Sequence, residues 1–181
     1  MRFGRSGLMC ALVVLGACSD DPASSTDSVA PSTTTVVLPS AEVSPLLGEI
    51  APAIAALETQ LGGPQEFFEI NATARLVNLF VALNNGVVAQ PWLYLGGTLT
   101  STEGQPASGG TFSSSAVDFD PEVILSTVLS ELPGISIESF YIHGDGEGNV
   151  LYGVLATSDK GGGLDVVLGA DGSVKSVDPV S

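Results

Sequence analysis

His143 is the only histidine of the chain, and any Ser–His–Asp chemistry would need it as the base, because no other side chain titrates conveniently near neutral pH. No Gly-x-Ser-x-Gly elbow presents a nucleophile to it. It precedes Gly144-Asp145-Gly146-Glu147-Gly148-Asn149, so it reads as a strand-end side chain beside a hairpin, and no catalytic residue is assigned. The same loop alternates Asp145, Glu147 and Asn149 with glycines, offering three oxygen ligands of the kind a hard cation such as calcium prefers. The chain then continues as Val150-Leu151-Tyr152 and brings no bidentate Glu to the twelfth position of such a loop. A glycine-rich hairpin connection accounts for these residues, and neither a metal site nor a cofactor is expected. Trp92 and Tyr94 alternate with Leu93 and Leu95, so on a strand the two aromatics share one face. If a helix covers the opposite face, Trp92 and Tyr94 form an exposed anchor for a protein partner; otherwise they close a core.

The remaining reactive side chains are two cysteines, Cys10 and Cys18, both near the start, so no disulfide framework holds the fold. Residues 1–17 have the three parts of an export signal. Arg2 and Arg5 make a basic start, Leu8 to Leu15 an apolar centre, and Gly16-Ala17 a small-residue exit. The apolar run is too short to span a bilayer as a stable helix. Leu15-Gly16-Ala17-Cys18 resembles the lipobox of bacterial lipoproteins, in which the last residue is acylated and cleavage falls just ahead of it. The resemblance implies lipidation of Cys18, loss of Cys10 with the leader, and an exported protein anchored to a membrane. More than one acyl chain makes such an anchor stable, since each buried methylene contributes about 0.8 kcal/mol.

Residues 18–40 follow as a tether rich in Ser, Thr, Pro and Asp, with little to bury, and are expected to be disordered. A flexible coil of that length holds a domain on the order of 25 Å from its anchor. Within it, Thr34-Thr35-Val36-Val37-Leu38 has the composition of a stray strand. The net charge of the whole chain is −15; without Arg2 and Arg5, 3 basic residues face 20 acidic ones, a net −17. Such a charge repels phosphate backbones, so nucleic acid is excluded as a partner.

The rest divides into two stretches with similar signals. In residues 41–116, Leu46, Leu47, Ile50, Ile54, Leu57 and Leu61 recur at helical spacing, with Pro52 predicting a kink or two short helices. Gly62-Gly63-Pro64 ends that run. Strands are predicted over 66–73, 75–83 and 87–95, with Asn85-Gly86 as the hairpin signal and Pro91 marking an edge or a bulge. A short pair is predicted at 98–101 and 111–115. In residues 117–181, Asp120-Pro121 starts a helix whose stripe carries Ile124, Leu125, Val128, Leu129 and Leu132, stopped by Pro133-Gly134. Strands are predicted over 135–143, 150–157, 163–169 and 173–177.

The second stretch, with its tail Asp171-Gly172-Ser173-Val174-Lys175-Ser176-Val177, resembles the PepSY domain family. Its members are often exported or membrane-attached, and inhibition or regulation of peptidases is the role that resemblance implies. A tandem arrangement also resembles the β-lactamase inhibitory proteins at the level of fold. The sequence therefore predicts an α+β protein of two tandem units, each a helix followed by an antiparallel meander, after a disordered tether. Its expected role is non-catalytic: a cell-envelope lipoprotein binding or modulating an envelope protein. The alternative is a small-ligand or cation carrier with a cavity between helix and sheet. A sizeable enclosed apolar cavity would favour the carrier, and a filled core with an exposed aromatic sheet face the binder.

Overall fold

The computed structural model describes residues 44–180; the leader, Cys18, the tether and the Val36–Leu38 run lie outside the described residues. The chain enters through a 3-10 turn, Leu47–Glu49, into helix α1, Ile50–Leu61. Pro52 falls in the first turn of α1, where backbone N–H groups have no partner inside the helix, so the predicted kink is not needed. Gly62 closes the helix in the left-handed conformation, its N–H donating to the Glu58 carbonyl.

Strands β1 (Glu66–Thr73), β2 (Val77–Leu83), β3 (Val88–Leu95) and β4 (Thr98–Ser101) then run antiparallel. Asn84, Asn85 and Gly86 take positive φ in the turn between β2 and β3. Two-residue strands follow, β5 (Gln105–Pro106) on β3 and β6 (Phe112–Ser113) on β1. The predicted pairing of 98–101 with 111–115 does not occur, because each segment finds an older strand to pair with. Pro91 is not on the rim of the sheet. Its carbonyl accepts from Thr102, so its missing N–H faces the gap between β4 and β5, where no ladder bond is lost.

Helix α2, Pro121–Glu131, begins with Asp120 accepting from the Glu122 and Val123 amides. Strands β7 (Ile135–Gly144), β8 (Val150–Ser158), β9 (Gly163–Leu168) and β10 (Val174–Val180) complete the chain. The tail motif serves the helix as well as the hairpin. Gly172 at φ 80° lies so near α2 that a Cβ would stand 3.0 Å from Ile124 Cα, and Glu131 accepts from the Val174 amide at 3.1 Å.

The strands form one sheet in the order β10-β9-β8-β7-β1-β2-β3-β4, with β5 and β6 attached to β3 and β1. This overturns the expected α+β fold of two tandem helix-plus-meander units. Pairing of β1 with β7, from Glu69 opposite His143 to Thr73 opposite Ser139, fuses the two halves into a single antiparallel surface dominated by ten strands and carrying two short helices. The physical reason is that β1 and β7 would each be an open edge in a separate unit, and each covers the other.

One hydrophobic core lies on one face of that sheet. Ile50, Ala53, Ile54 and Leu57 of α1 and Ile124 and Val128 of α2 are buried together with Phe67, Ile70, Leu79, Phe140, Ile142, Val154 and Val166 of the strands. The predicted stripe of α2 is corrected at Leu129, which is 39% exposed; Leu125 and Leu132 are only partly covered. Trp92 and Tyr94 also belong to this core, at 7% and 8% exposure.

Candidate functional site: the open face of the sheet

Period-2 alternation sends every second side chain of these strands away from the helices. On β1 these are Glu69, Asn71 and Thr73; on β7, Ser139, Tyr141 and His143. The register sets Glu69 beside His143 and Asn71 beside Tyr141 on one side, and Asn71 beside Asn78 of β2 on the other.

These neighbours make a continuous polar network. Asn78 Nδ2 donates to Asn71 Oδ1 at 2.6 Å, and Asn71 Nδ2 donates to Glu69 Oε1 at 2.8 Å. His143 Nε2 stands 3.2 Å from Glu69 Oε2, the one ion pair among the described residues. The hydrogen bond from His143 holds the Glu69 carboxyl below the usual carboxylate range, with Asn71 helping and partial burial opposing.

Tyr141 extends the network in the other direction. Its ring crosses β8 over Gly153, which lies opposite it, and its hydroxyl donates to Asp165 Oδ1 of β9 at 2.6 Å. Gly153 is required for that path, since a Cβ there would collide with Cζ and the hydroxyl of Tyr141. Burial, and then the bond to Asp165, push the phenol well above its ordinary value. The Tyr141 and His143 rings lie 4.7 Å apart, centroid to centroid. Between Glu69, Tyr141, His143, Leu155 and Asp165 the sheet surface dips into a hollow of about 270 Å³. Leu151 and Leu155 stand beside it on the same face, 48% and 40% exposed.

Ser139 and His143 are four residues apart on one strand, roughly 13 Å, so the histidine cannot activate that hydroxyl. No group of three or more His, Cys, Asp or Glu side chains able to hold a metal ion occurs among the described residues.

The other residues singled out from sequence lie elsewhere. Asp145 is wholly taken up by its own loop: Oδ1 accepts from the Glu147 and Asn149 amides and Oδ2 from the Asn149 side chain. The Asn149 side chain, first among these, lowers the Asp145 carboxyl. Trp92 and Tyr94 do not form an exposed anchor. They point to the helix-covered side, where Trp92 Nε1 has no hydrogen-bond partner among the described residues. Trp92 and Tyr94 alternate with the equally apolar Leu93 and Leu95, so this stretch of β3 could not say which pair turns inward. Cys18 lies outside the described residues.

The alternation of Glu69, Asn71 and Thr73 with Ile70 and Ala72 was a readable signal for a polar open face. Nothing local announced that β7 would lie beside it. No helix among the described residues is long and apolar enough to cross a membrane. Compared with family models, with curated proteins and with solved structures, the chain matches none.

Proposed function

We propose that this protein is a cell-envelope lipoprotein, anchored through acylated Cys18, whose folded part acts without catalysis by binding and modulating an envelope protein. The observation that supports the binding role is the open sheet face. Two sets of hydrogen-bonded side chains, Asn78–Asn71–Glu69–His143 across β2, β1 and β7 and Tyr141–Asp165 from β7 to β9, order it, and exposed Leu151 and Leu155 flank them. Side chains held in place before contact lose little conformational freedom on binding, and aromatic-plus-apolar clusters of this kind supply interface hot spots. On the other side of the sheet Phe67, Phe112, Phe140, Leu57 and Ile124 are fully buried, and the two hollows beside the helix starts are lined by no strand residue, which favours the binder over a carrier with a cavity between helix and sheet. The peptidase role implied by the PepSY resemblance is not part of this proposal.

Two experiments test the reading. The chain from Ser40 onward contains the whole described core, and used as bait on envelope extract it should retain one protein that the double variant Leu151→Glu/Leu155→Glu does not, at unchanged melting temperature. Equal capture by both overturns the open face as the binding surface. Cys18→Ala should move the full-length protein from the membrane fraction to the soluble fraction; retention of an exported variant overturns the anchor.

A further inference from the structure

We propose that the cleft between the starts of the two helices, on the side of the sheet opposite the open face, is a docking groove for a cationic peptide segment carrying an apolar anchor. The groove has a volume of about 1120 Å³ and shares Leu47, Asp118, Phe119 and Pro121 with a second hollow of about 310 Å³ that follows α1 as far as Glu58. The groove continues along α1 through this second hollow, so its length suits a stretch of chain better than a compact ligand.

Leu46, Leu47, Phe119, Val123 and Leu125 supply apolar walls. Phe119 is a rigid part of them: its ring lies 5.0 Å from that of Phe140 and 5.6 Å from that of Tyr152, whose hydroxyl is hydrogen-bonded to the Asp118 backbone. Val123 remains 43% exposed on the surface of α2.

Charge decides the occupant. Glu49, Asp118, Asp120, Glu122 and Asp171 surround the groove, and none of the described basic residues, Arg75, Lys160 and Lys175, lines it. Asp120 serves as the cap of α2, and Asp171 accepts from Ser173. The side chains of Glu49, Asp118 and Glu122 have neither a hydrogen bond nor an ion pair among the described residues. Carboxylates at a helix start complement its dipole, but Asp120 already occupies the free amides of α2. Anionic ligands, and a second copy of this acidic chain, are repelled from such a rim. A lysine- or arginine-bearing segment is attracted, and its apolar side chain finds Val123 and Phe119.

The test is fluorescence anisotropy of the chain from Ser40 onward with a fluorescein-labelled pentapeptide, Lys-Leu-Phe-Leu-Lys. Two control peptides replace the lysines by glutamates or the apolar core by Ser-Gly-Ser. The lysine–leucine peptide should bind at least tenfold more tightly than either control. Its affinity should fall about fivefold in Glu49→Gln/Glu122→Gln and with rising salt. It should be lost in Val123→Glu, which is exposed and leaves the fold intact by its melting temperature. The open-face variant Leu151→Glu/Leu155→Glu should bind the peptide unchanged, so that this proposal and the one for the open face fail separately. Equal binding of all three peptides, no binding of any, or undiminished binding to Val123→Glu overturns the groove.

Discussion

The two faces of this sheet are built from the same strands yet are held by different forces. The helix-covered face is a dry apolar layer in which Phe67, Ile70, Leu79, Phe140, Ile142 and Val154 are fully buried. The open face keeps its order with hydrogen bonds instead, from Asn78 through Asn71 and Glu69 to His143, and from Tyr141 to Asp165. Area burial is non-directional and accounts for stability. Hydrogen bonds between half-exposed groups add little net free energy but set side-chain positions. The covered face therefore makes the protein fold, and the open face gives it a defined surface.

The sharpest way to break this contrast is to truncate one residue from each face. Phe140→Ala should cost about 3–5 kcal/mol by chemical denaturation, while Leu155→Ala, 40% exposed, should cost less than about 1 kcal/mol. Similar losses would mean that the open face is not open. Next in size is Gly153→Ala. In most strands this exchange is neutral or helpful, but here the new methyl must displace the Tyr141 ring, and about 1–2 kcal/mol should be lost. The phenol should then titrate closer to its ordinary value when followed by ultraviolet absorbance. In a Tyr141→Ala background the same exchange should stop destabilising, a coupling that a double-mutant cycle reads directly.

Leu129→Ala tests the covered side where its cover is thinnest, and should cost about 1 kcal/mol or less in a thermal melt, far below a buried leucine. The smallest effect is the acid response of the open face. Glu69 has a folded pKa below its ordinary value of 4.5. Its contribution is therefore complete above 4.5 and is lost as pH falls through the lowered folded value. The amount should be about 0.5 kcal/mol, as for partly exposed pairs. Stability measured against pH should lose that step in His143→Ala.

Much of the local structure was legible in the sequence. The Asp120-Pro121 helix start, the Gly62 stop, the Asn85-Gly86 turn and most strand bounds follow from residue chemistry that acts within a few positions. The kink expected at Pro52 failed for a local reason, since Pro52 falls in the first turn of α1; the other errors are non-local. Leu129 has the spacing of a core residue, but which side of α2 is covered depends on neighbours far along the chain, among them Gly172 against Ile124. The inward turn of Trp92 depends on neighbours across the sheet, because Leu93 and Leu95 are as apolar as Trp92 and Tyr94. The union of two meanders depends on an edge-to-edge pairing that neither strand advertises. The candidate site shares this property: Glu69 and His143 each looked ordinary, and only the pairing of β1 with β7 makes them partners.

That central pairing also sets the order in which the protein can assemble. Ile70 must wait for Ile142, about seventy residues later in synthesis, so the middle of the sheet is its most distant strand pairing in sequence. Until β7 arrives, one flank of β1 from Glu69 to Thr73 presents unpaired backbone groups beside Ile70, a template for pairing with the wrong chain. High contact order of this kind places folding among the slower two-state reactions, since loop closure precedes any gain from the pairing. The joint that turns two meanders into one surface is thus the step at which a growing chain is most exposed to misassembly.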